Sequence, residues 1–107
     1  MLTIRELQDA AGKERQKADS FRKEAEKRQA DADNAVDDPD ASSKYANEAQ
    51  SLIEKAAQHD QAAQKFDIKA TELDARATIL QRQKTEIENA SQAQISKLDQ
   101  EEKMLRG

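Results

Sequence analysis

The sequence predicts an all-α protein, a long antiparallel helical hairpin of Ala-rich coiled-coil type with a protruding C-terminal helix. Three observations predict it. First, seam positions alternate by four and three residues. They fall at Ile4, Leu7, Ala11, Glu14, Ala18, Phe21, Ala25, Arg28, Ala32 and Ala35. They resume at Tyr45, Ala49, Leu52, Ala56, His59, Ala63, Phe66, Ala70, Leu73, Ala77, Leu80, Lys84 and Ile87. A period of about 3.5 residues is the coiled-coil repeat. Second, the only proline, Pro39, separates the two runs. Third, folding the halves about it sets small against large: Ala32 with Tyr45, Ala25 with Leu52, Phe21 with Ala56, Ala18 with His59, Ala11 with Phe66, Leu7 with Ala70 and Ile4 with Leu73. Such alternation fills a narrow two-helix seam without voids or clashes.

Composition agrees. At 107 residues the chain is at most one domain. Only 36% of residues are hydrophobic and 3% aromatic, against 37% charged, with a mean hydropathy of −1.09. That inventory lines narrow stripes on helices and cannot fill a thick globular core. Disorder shares the high charge, but a disordered chain has no reason to hold a heptad phase from Tyr45 to Ile87.

Helix one is expected over about residues 3–36. Thr3 followed three residues later by Glu6 reads as a capping box. Gly12 weakens this helix by roughly 1 kcal/mol relative to alanine, yet the seam keeps its phase from Ala11 to Ala18, so the helix should be continuous. An acidic turn is expected over 37–43, with Asp38, Asp40, Ser42 or Ser43 available to cap helix two. Helix two is expected over about 43–105, since neither Gly nor Pro interrupts Ser43–Arg106.

The arms are unequal, so residues 74–107 should project past the start of helix one. There the seam changes character. Ile87 to Leu98 is a step of eleven residues, a stutter that locally unwinds a coiled coil. Leu80, Ile87, Ile95, Leu98, Met104 and Leu105 therefore need a covering other than helix one, and form the expected protein interface. Either the chain folds back near Asp74–Thr78 into a three-helix bundle, or this segment pairs with another chain. The absence of a breaker favours pairing.

Chemistry-bearing constellations are sparse. Asp31, Asp33, Asp37, Asp38 and Asp40 lack the glycine and terminal glutamate of an EF-hand, and read as a solvated turn with capping acids. His59 is the only histidine. It falls in the seam opposite Ala18, one turn from Glu14, which suits a packed histidine with an interhelical hydrogen bond to Glu14 better than a metal ligand. No nucleophile–base pair, phosphate loop or paired buried carboxylates can be found. The expectation is a non-enzyme with no catalytic, metal or cofactor site and no small-molecule substrate.

Net charge is −4 with both signs interspersed. The basic cluster of Lys13, Arg15, Lys17, Arg22, Lys23, Lys27 and Arg28 is interleaved with Glu14, Asp19, Glu24 and Glu26, as on a solvated face laced with i,i+4 pairs. Nucleic-acid binding by a helical arm is therefore a distant third reading. No apolar run approaches the ~20 residues of a membrane span, so membrane insertion is not expected; cysteine is absent, which excludes disulfides and thiolate chemistry. A cytoplasmic location is the default.

Two functional readings remain. The first is structural, a coiled coil that self-associates or scaffolds an assembly. Ile4-Arg5-Glu6-Leu7 near the start and Ile95-Ser96-Lys97-Leu98-Asp99-Gln100-Glu101-Glu102 near the end are similar to the N-terminal scaffolding (delta) domain of tailed-phage major capsid proteins. That resemblance implies a highly charged coiled-coil domain directing capsomer assembly within a viral particle and removed by a prohead protease. The second reading is a helical chaperone or stalk-like module, resembling those of bacterial secretion systems, that holds a partner helix. The partner is thus a second copy of the chain or another helical protein.

Overall fold

A computed structural model describes residues 2–106. It contains two helices, α1 (Ile4–Asn34) and α2 (Pro39–Arg106), of 31 and 68 residues. They contribute to two compact units, one extending through Thr71 and one beginning at Glu72.

Thr3 starts α1 from an extended backbone, φ −77° and ψ 165°, with its hydroxyl oxygen accepting the Glu6 amide at 3.1 Å. The capping box is closed differently from its usual form. The Glu6 carboxylate takes the Thr3 hydroxyl proton at 3.2 Å, where the full motif takes the amide proton. The helix passes unbroken through Gly12.

The connection is shorter than the sequence suggested. The structure places it at Ala35–Asp38, so the expected turn over 37–43 is corrected, and helix two begins at Pro39 instead of about 43. The Ala35 amide is shared between the carbonyls of Asp31 and Ala32, at 3.1 and 3.2 Å, and the Asp38 amide bonds the Ala35 carbonyl at 3.0 Å. Asp38 is the cap of α2: its Oδ1 accepts the Ala41 amide at 3.2 Å and its carbonyl the Ser42 amide at 2.9 Å. Proline is well suited to the first helical position, since its φ is preset and its missing N–H would be unpaired there. Pro39 thus begins the helix that it seemed to delay. Ser42, freed from capping, donates its hydroxyl to the Ala32 carbonyl at 3.0 Å and ties the two helices together at the turn.

Within the first unit the helices run antiparallel. Contacts pair Ala32 with Ser42, Arg28 with Glu48, Arg22 with Asp60 and Arg15 with Asp67, so one partner number falls as the other rises. The core is a row of small side chains: Leu7, Ala11, Ala18, Ala25 and Ala32 from α1, and Ala49, Ala56, Ala63 and Ala70 from α2, all at most 5% exposed. Alanine at this spacing lets helix axes approach towards the ~8 Å lower end of the usual range.

No second turn interrupts α2. It continues through Asp74–Thr78, where the Thr78 hydroxyl bonds the Asp74 carbonyl at 3.0 Å, as Thr71 does to Asp67 and Thr85 to Gln81. The three-helix alternative needed a break here and is not realised, because none of these residues competes strongly enough with helical hydrogen bonding.

Candidate interaction surface

Two clusters of side chains bear on what the molecule does. The first is built around His59 in the hairpin. Its Nδ1 lies 2.5 Å from Glu14 Oε2, and its ring stacks on Phe21 with centroids 5.4 Å apart and planes at 14°. Glu14 and Phe21 stand one turn before and one turn after Ala18, so His59 is a knob seated over that alanine. A carboxylate only accepts, so Nδ1 carries the proton of this bond. The bond from His59 holds the Glu14 carboxyl below the usual carboxylate range, against partial burial and with help from Lys17 nearby. Lys55 Nζ approaches the Phe21 ring at 5.9 Å. This arrangement is one charge-assisted seam contact. Among the described residues, no group of three or more His, Cys, Asp or Glu is placed to hold a metal ion.

On the hairpin, Arg15, Lys17, Arg22 and Arg28 are engaged with acids. Arg15 pairs with Asp67 and Arg22 with Asp60; Arg28 reaches Glu48 at 3.4 Å and Asp31 at 3.7 Å, and Lys17 reaches Glu14 at 3.6 Å. The two leading pairs went unrecognised in the sequence, although Arg15 and Arg22, like Asp60 and Asp67, are one heptad apart. Exposed pairs of this kind contribute about 0–1 kcal/mol each; their effect is on register. Of the acids near the turn, Asp31 pairs with Arg28, Asp33 accepts from Gln29 at 3.1 Å, and Asp38 caps α2.

The seam residues sort into two grades of burial. Leu7, Ala11, Ala18, Ala25, Ala32, Ala56 and Ala70 are buried, and Ile4, Phe21, Tyr45, Leu52, His59, Phe66 and Leu73 are half-buried. Small residues lie on the axis of the seam and large ones close its sides. Ile53 and Ile68 are exposed singly off the seam, as is ordinary for surface apolar residues.

The second cluster belongs to the unit that begins at Glu72. Every described residue from Asp74 onward is exposed. Of the expected interface residues, Leu80 and Leu98 are each 58% exposed, Ile87 67%, Ile95 53%, Met104 84% and Leu105 89%. At about 100° per residue, Leu80, Ile87, Leu98 and Leu105 fall within roughly 20° of one line along the helix, and Ile95 about 60° to one side. Met104 does not share that face. It lies about 120° to the opposite side, near the bearing of Ile79, a further exposed isoleucine that heptad reading missed because it precedes a seam position. No helix among the described residues is long and apolar enough to cross a membrane.

Neither a family model, nor a curated protein, nor a solved structure matches this chain.

Proposed function

We propose that this protein is a non-enzymatic coiled-coil assembly factor that self-associates through the apolar stripe of residues 80–105. The observation that carries this reading is the exposure of Leu80, Ile87, Leu98 and Leu105 along one helical face. Each such side chain gains about 1.5–3 kcal/mol when fully buried, and among the described residues none buries them. Another helix supplies the matching surface, and a second copy is always at hand. The resemblance to phage capsid scaffolding domains fits this reading, since those domains act by bringing copies of one chain together, and it would place the protein within an assembling particle. A helical chaperone is the second reading, favoured by the same open stripe when the covering helix is foreign.

Light scattering coupled to size exclusion over a wide concentration range tests the proposal. The expected outcome is a mass that rises with concentration towards a defined oligomer. A mass fixed at the monomer up to millimolar concentration would sink self-association and favour a foreign partner helix.

A further inference from the structure

The spacing of the exposed stripe says which way the second copy lies. Leu80, Ile87, Leu98 and Leu105 are separated by seven, eleven and seven residues, so the row reads the same in both directions. Its centre falls between Gln92 and Ala93. From Leu80 to Leu105 is 25 residues, close to seven turns at about 3.6 residues per turn, so the row stays on one face of a straight helix. The long central step and the short outer ones compensate, and no supercoil is required to keep the face in contact.

From this we infer that the chain forms an antiparallel homodimer through this stripe, with Leu80 facing Leu105 and Ile87 facing Leu98 of the second copy. The inference rests on the self-association proposed above and adds direction and register to it. Apolar matching alone does not choose between orientations, because a parallel in-register pair also sets like against like. Charge makes the choice. Lys84 lies on the stripe, and the antiparallel register brings it level with Glu101 and Glu102 of the other copy, twice by symmetry. A parallel pair sets Lys84 against Lys84 and Glu102 against Glu102, which like-charge repulsion in a seam opposes. The flanks largely cancel, with Glu86 near Lys97 but Glu88 near Asp99, so the stripe and its lysine set the register. Serine and glutamine meet in the middle, at Ser91 and Gln94.

The natural absence of cysteine makes the test clean. Full-length chains carrying Leu80→Cys or Leu105→Cys, both at exposed positions, are oxidised separately and as a mixture. In the antiparallel dimer the two copies of position 80 are about 37 Å apart, far beyond the ~7 Å that a disulfide spans. The expected result is a cross-linked species of mixed composition from the mixture and none from Leu80→Cys alone. Ready cross-linking of Leu80→Cys to itself would overturn the antiparallel register while leaving self-association intact. A monomer by light scattering would overturn both. As a second readout, Lys84→Glu should weaken the dimer about tenfold, and adding Glu101→Lys and Glu102→Lys should restore it. A dimer indifferent to Lys84→Glu would count against the register.

Discussion

The stretch from Ile4 to Leu73 and the stretch from Asp74 to Arg106 are both helical, both highly charged and both free of Gly and Pro breakers except at Gly12 and Pro39, yet they treat their apolar residues in opposite ways. In the first, the residues that disappear from solvent are mainly alanines, with Leu7 the one large side chain buried to 2%. In the second, the large apolar residues are out in solvent and no position is even half-buried. Hydrophobicity therefore does not predict burial along this chain; spacing does. Alanines held at heptad intervals are buried in the hairpin seam, whereas among the described residues the leucines and isoleucine at intervals of seven and eleven meet no such row.

The contrast can be broken most forcefully at Leu7. Leu7→Ala should lower the stability of the hairpin by about 3 kcal/mol, read as a drop in the denaturant midpoint at dilute, monomeric concentration. Leu98→Ala should leave that midpoint unchanged and instead reduce the oligomer. If the two truncations behave alike, the distinction between the stretches fails. Overpacking tests the same idea from the other side. Ala18, fully buried, has no room for growth, and Ala18→Leu should destabilise by about 2 kcal/mol, while Ala77→Leu at an exposed site should change the thermal midpoint little.

A smaller, stabilising effect is expected at Gly12. A methyl group there would meet nothing within 4 Å, so Gly12→Ala should raise stability by about 1 kcal/mol through helix propensity alone; a loss on thermal melting would mean that the site is tighter than its geometry indicates. The smallest effect concerns pH. The folded Glu14 carboxyl binds its proton more weakly than the ordinary glutamate value of 4.5 allows. Below that pH the unfolded chain takes up the proton first, so the contribution of the His59–Glu14 contact is complete above about 4.5 and is lost as pH falls towards the folded value. Urea titrations of the parent and Glu14→Gln proteins should differ at pH 6 and draw together as the pH falls below 4.5. Parallel curves across that range would remove Glu14 from the account.

Much of the fold was legible because a heptad states its own geometry: the count that puts Ala11, Ala18, Ala25 and Ala32 on one line of α1 puts Ala49, Ala56, Ala63 and Ala70 on one line of α2, and both rows are buried. The His59–Glu14 contact followed from the same register. The start of α2 was misread because proline has two meanings, a stop when it follows a helix and a start when it sits in a first turn, and only the Asp38 cap decides between them. The Arg15–Asp67 and Arg22–Asp60 pairs were hidden for another reason. They flank the seam, where charge is expected anyway, and only a heptad count applied to charges would have singled them out. What would cover the stripe of residues 80–105 was not legible, because among the described residues these side chains stay exposed and a sequence states spacing, not the partner surface.

The four-residue link that Ser42 fastens to Ala32 also sets a direction for folding. Across it the sequence separation is only 10 residues; it rises to 38 at Arg22–Asp60, 45 at Glu14–His59 and 52 at Arg15–Asp67. Closing the short loop first makes every later contact a small extension of the one before, so the loop-closure entropy is spread over many steps. The hairpin should zip from its turn towards its open end. Ser42→Ala should then slow refolding, whereas Leu7→Ala should speed unfolding and leave the refolding rate nearly untouched, a pairing that stopped-flow kinetics can reverse or uphold.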